Sequence, residues 1–156
     1  MRSLADWFAD YDADHRHPLN RRLHALCVPA IVWAVIALAW TVPVPAAWFK
    51  PGAVAVLAMF LAFLWYYRRS RRLGLAMLAA FALLALVTAA LEAVLGVVGL
   101  RWLALAIFAL AWVGQFIGHA AEGRRPSFFT DLSYLLVGPA WLLAKLLRRL
   151  GFGAGA

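Results

Sequence analysis

An all-α fold, a polytopic helical bundle embedded in a membrane, is what this sequence predicts, and three observations carry the expectation. Four apolar runs, 24–42, 51–67, 73–91 and 102–118, each approach the ~20 residues with which a helix crosses a bilayer. Apolar residues make up 66% of the chain and charged residues 14%, against roughly 45–50% and about 25% in soluble domains. The charges that remain cluster in short segments between the runs, where they set topology. With 156 residues, four spans leave room for one integral domain, 1–150, and little else.

The chain opens on an amphipathic helix. Leu4, Trp7, Phe8 and Tyr11 recur at i, i+3, i+4 and i+7, while Asp6, Asp10 and Asp14 mark another face. Such a helix lies on the membrane surface or over the bundle. Its acidic residues and missing apolar core do not match a cleavable signal peptide. Pro18 suits a helix start, which puts His17 close to an N-cap.

The first span follows, and VPVPAAWFKP, rich in proline and aromatics, reads as an interfacial turn into the second. The basic connector RRSRR leads to the third span, and the fourth closes at His119. Beyond it, DLSYLLVGPAWLLAKLL is long enough to cross, but Gly138-Pro139 interrupts it and a crossing would carry Arg148 and Arg149 outside. A re-entrant or interfacial helical pair, broken at that dipeptide, is expected there. The tail 151–156, GFGAGA, has nothing to bury and is expected to be disordered.

Thirteen Lys and Arg fall on the side of the N-terminus, RRSRR and the segment after His119, and only Lys50 and Arg101 on the other. The positive-inside rule makes the first side cytoplasmic, in a bacterial inner membrane by compositional style. A net charge of +8 would raise nucleic acid as a partner for a soluble protein, but here the charge meets anionic lipid, and nucleic-acid binding is not expected. The lone cysteine, Cys27, excludes an internal disulfide and a thiolate metal cluster. A homo-oligomer is left open.

Chemistry gathers at the cytoplasmic boundary, where all four histidines lie. In YDADHRHPLNRRLH, Asn20 and His24 share a helical face, with His15 beyond the Pro18 break. In WVGQFIGHAAEGRRP, Gln115, His119 and Glu122 stand at i, i+4 and i+7, so two polar stripes of equal depth can meet. Imidazole and carboxylate are what a divalent metal takes without thiolate, and a three-His or 2-His-1-carboxylate set with open positions suits non-haem Fe(II), although zinc accepts similar ligands. Gln115 and Asn20 are placed to orient imidazoles, and Arg124 and Arg125 to grip a carboxylate bidentately. The alternative for each residue is ordinary: boundary histidines and arginines often only meet head groups and helix ends. His17 is the weakest ligand candidate, Glu92 has no partner in reach and marks the opposite interface, and Thr88 and Ser133 lack the companions of a hydrolytic triad.

At these two stretches the chain resembles the membrane 2-hydroxy fatty acid dioxygenases of phytosphingosine and odd-chain fatty acid metabolism. YDADHRHPLNRRLHALCVP is similar to that family's Y-x3-H-x4-N-x3-H pattern, and WVGQFIGHAAEGRRPS to its Q-F-x-G-H-x2-E-x3-P pattern. The resemblance implies that His15, His24 and His119 are iron-associated, with Glu122 and Asn20 in support and Glu122 either accepting a proton or replacing one imidazole. It also implies Fe(II)-dependent oxidation of a 2-hydroxy fatty acid by dioxygen to the acid one carbon shorter. Three protein ligands would leave a chelating 2-hydroxy acid and dioxygen room in a six-coordinate sphere. Competing expectations are a bis-histidine haem electron carrier with His24 and His119 as axial ligands, and a non-enzymatic membrane scaffold.

Overall fold

A computed structural model describes residues 3–123 and 134–152. These form five α-helices and no strand: α1 Leu4–Ala13, α2 Pro18–Trp40, α3 Ala53–Arg69, α4 Arg71–Glu122 and α5 Tyr134–Arg149. The all-helical expectation holds. Two of the five, α2 and α4, are long and apolar enough to cross a membrane, whereas four spans were expected. The difference lies in α3, which is only 17 residues long, and in α4, which joins the third and fourth runs across 52 residues.

Gly96 explains how so long a helix fits. A straight helix of that length would be roughly 80 Å long, but Gly96, at φ 67° and ψ 171°, breaks the helical path. This region is open essentially to glycine alone. The two limbs return along α2: Trp40 donates to Glu92 at 2.8 Å and Arg101 to the Thr41 carbonyl at 2.9 Å, so both limbs meet the same end of α2. Glu92 therefore has the partner its sequence position did not reveal.

Helix α1 begins with a capping box in which Ser3 and Asp6 exchange side-chain and backbone hydrogen bonds. Its expected stripe is the buried one, Leu4, Trp7 and Tyr11, with Trp7 and Tyr11 packed against Val137 and Trp141 of α5. Helix α2 starts at Pro18 with His17 as N-cap, the imidazole accepting from the Leu19 N–H at 3.2 Å. Its Ala34 and Ala37 pack against Leu100 and Ala104 of α4, small residues that let helix backbones come close. Outward-facing side chains stay apolar, with Leu86 70%, Val94 81% and Leu110 71% exposed, as on a surface that meets lipid.

The expected break at Gly138-Pro139 is corrected, because α5 runs through it as one helix. Proline removes the donor for the carbonyl four residues back, that of Leu135. The neighbouring carbonyl, of Leu136, accepts the Tyr66 hydroxyl at 2.8 Å. Gly138 takes its place for a different reason: a Cβ there would stand 2.9 Å from the Tyr11 hydroxyl. Of the expected disordered tail, residues 153–156 lie outside the described residues, as do Arg124, Arg125 and Ser133.

Candidate metal centre

Three elements converge on the centre. His15 comes from the turn between α1 and α2, His24 from the second turn of α2, and His119 from the last turn of α4. All three are buried, at 2%, 2% and 3% exposure, and their candidate ligand atoms lie within 4.8 Å of one another. The ring centroids are 4.1 Å apart for His15 and His24, 5.2 Å for His15 and His119, and 4.9 Å for His24 and His119. No carboxylate joins this group among the described residues.

Backbone carbonyls orient two of the rings. His15 donates through Nδ1 to the Tyr11 carbonyl at 2.6 Å, and His24 through Nδ1 to the Asn20 carbonyl at 3.1 Å. With both Nδ1 atoms carrying a proton to a carbonyl, the neutral rings present bare Nε2 lone pairs to each other, 2.9 Å apart. Two lone pairs at that distance repel unless a cation lies between them. Nitrogens about 2.1 Å from one ion and at right angles to each other are themselves about 3 Å apart, so a shared metal fits. His119 supplies a third imidazole whose buried Nδ1 has no hydrogen-bond partner.

Burial lowers the pKa of His15, outweighing its bond to the Tyr11 carbonyl and the nearby Asp14 and Glu122 charges. The ring thus stays neutral, the form that ligates. Tyr11 stacks on His15 at 4.1 Å, and burial drives its phenol pKa far above the usual range, so it remains protonated.

Glu122 stands just outside the imidazole group. Its carboxylate accepts the backbone N–H of Arg16 at 2.9 Å, that of His17 at 2.8 Å and the Asn20 side-chain amide at 3.0 Å. These bonds tie the His15 turn to the end of α4 and engage both oxygens. Asn20, fully buried, links that anchor to His24 through its own carbonyl. Helices α2 and α4 approach closely here because a Cβ on Gly118 would stand 2.6 Å from Asn20 Oδ1, and one on Gly114 2.6 Å from Cys27 Sγ. Gln115 is buried and lines the histidine pocket, as its position one turn before His119 predicts.

That pocket is small, about 70 Å³, and walled by Ile31, Trp112, Tyr134 and Leu135 among others. Sequence reasoning passed over Tyr11 as part of the site, although its spacing four residues before His15 was the signal. Trp141, with its ring 5.8 Å from that of His15, gave no signal, since α5 reaches the site only through the tertiary fold.

Fold and site together define an all-helical protein, with helices able to cross a membrane, in which three buried histidines could hold a metal ion. The chain belongs to the 2-hydroxy-palmitic acid dioxygenase Mpo1-like family, whose model matches residues 1–150. No match is found among curated proteins or among solved structures.

Proposed function

We propose that this protein is a membrane-embedded, Fe(II)-dependent dioxygenase that converts a 2-hydroxy fatty acid into the fatty acid one carbon shorter. The observation that carries the reading is the pair of facing Nε2 atoms of His15 and His24, 2.9 Å apart with both Nδ1 atoms engaged, and His119 beside them. The family description supports the substrate class. Zinc would accept these ligands, but oxidation calls for a redox metal, and imidazole suits iron. Bound iron would supply a centre that a 2-hydroxy acid can chelate and at which dioxygen is reduced. The overall conversion balances with one dioxygen, giving the shortened acid, carbon dioxide and water.

The chain's own residues hold the centre in shape. The carbonyls of Tyr11 and Asn20 fix the tautomers, Glu122 pins the His15 turn, and the aromatic and aliphatic walls keep bulk water out. Glu122 acts as an anchor, since its oxygens already serve three donors. Arg124 and Arg125, following α4 directly in sequence, attract the anionic head of the substrate. In this reading α2, α3 and the two limbs of α4 are the four spans, and the histidines face the cytoplasm.

The test is mass-spectrometric detection of pentadecanoic acid after detergent-purified, Fe(II)-loaded protein is given 2-hydroxypalmitate and oxygen. Product from the wild type and none from His119→Ala is expected. No product from folded, iron-bearing wild type with any 2-hydroxy acid tried would overturn the proposal. Arg124→Ala and Arg125→Ala should raise KM with iron content unchanged; an unaltered KM in both would remove their role.

A further inference from the structure

A groove of about 670 Å³ lies between α2, the first limb of α4 and α5. Its size falls within the roughly 300–1,000 Å³ typical of small-molecule sites. Its walls are apolar along most of their length, with Val28 and Val32 from α2, Ala80, Phe81 and Leu84 from α4, and Leu143 from α5. Four cations, Arg21, Arg22, Lys145 and Arg149, also line it, and among the described residues no acidic one does. Lys145 is committed to Asp12 at 2.7 Å and lies over the Trp141 ring, so the three guanidinium groups carry the unspent charge.

The bond from Lys145 to Asp12 holds the end of α5 against the segment that leads into α2, which brings these charges to one end. Arg21 and Arg22 stand in the first turns of α2 and Arg149 in the last turn of α5, while Val32 and Leu84 lie deep in their helices. The groove is thus cationic at one end and apolar at the other. That polarity matches an anionic amphiphile, and the limited volume matches one chain better than the two of a phospholipid. Val28, Val32 and Pro139 line both this groove and the histidine pocket, so only a thin partition separates them.

We propose that this groove is a second binding site, for a single-chain fatty acid held with its carboxylate at Arg21, Arg22 and Arg149 and its chain along Val32, Phe81 and Leu84. The site is independent of the metal and of the 2-hydroxyl group. Bidentate guanidinium contacts hold the head, and burial of methylenes against the walls supplies the affinity. None of His15, His24 and His119 lines the groove, so the site holds an acid beside the centre, before or after reaction, and not in the reacting position.

The test is photocrosslinking with a diazirine-bearing palmitate on the full chain in phosphatidylcholine nanodiscs, with adducts mapped by mass spectrometry. Adducts are expected at groove residues such as Met77 and Phe81, equally in metal-free wild type and in His119→Ala. Excess unlabelled palmitate should remove them and phosphatidylglycerol should not. Ala80→Trp, which fills the groove, and the pair Arg21→Glu with Arg149→Glu should each lower labelling at least about tenfold, with iron binding retained as the sign of an intact fold. Adducts confined to the histidine pocket, dependence on metal, indifference to Ala80→Trp, or equal competition by phosphatidylglycerol would each overturn the proposal. Because the assay reads binding alone, its failure is distinct from a failure of turnover.

Discussion

Glu122 shows how much of the centre depends on side chains that do not touch a metal. It accepts two backbone N–H groups from the turn that carries His15 and one amide from Asn20, whose carbonyl orients His24. Glu122→Ala should lower metal affinity by about 10–100-fold, the usual effect of losing such support; unchanged affinity in a metal titration would show that the turn holds itself. Burial gives a second prediction at this scale. The folded-state pKa of His15 lies below its unfolded value of about 6.5, so below that pH the unfolded chain takes up a proton that the folded chain resists. Stability of the metal-free protein should therefore be fully present above about pH 6.5 and fall as the pH drops below it. Denaturation of His15→Gln should lose part of that pH dependence, and an identical profile would assign the effect elsewhere. His24 and His119 were legible in the sequence because each sits one turn from a polar neighbour, and His15 because it opens the motif that contains His24. The orphaned Nδ1 of His119 and the role of Glu122 as an anchor were not, since both arise from contacts across about a hundred residues.

Helix class and most helix positions could be read from apolar run length and the 3.6-residue period, and α2 begins where Pro18 and the His17 cap predict. What could not be read was how the third and fourth runs connect. Residues 92–101 remain helical on either side of Gly96, and the reversal rests on a single backbone angle with no loop composition to betray it. Gly96→Ala should destabilise the fold by about 1–3 kcal/mol through backbone strain alone, because a Cβ there would meet nothing within 4 Å. An unfolding midpoint unchanged from wild type would contradict the broken helix. Gly118→Ala differs in kind: its Cβ would strike Asn20 Oδ1, so metal affinity should fall together with stability. The continuous α5 escaped sequence reading because the contact that braces it beside Pro139, the Tyr66 hydroxyl on the Leu136 carbonyl, comes from a helix far away in sequence.

Across the whole molecule, the proposed function takes the apolar outer faces and the basic end to place the chemistry where a lipid's polar head meets the aqueous phase. An acid dissolved in the bilayer can reach a site there without leaving the membrane. Charge asymmetry predicts the orientation, and cysteine labelling can check it, since the native Cys27 is buried. In intact spheroplasts Lys50→Cys should react with an impermeant maleimide and Ser70→Cys should not; the reverse pattern would invert the topology. The central claim, that His15, His24 and His119 jointly hold one metal ion, is tested most directly by iron analysis after anaerobic Fe(II) loading and gel filtration of the wild type and the three single His→Ala variants. About one iron per wild-type chain and a large loss in every variant is the predicted result. Iron retained at the wild-type level in any one of the three would contradict it.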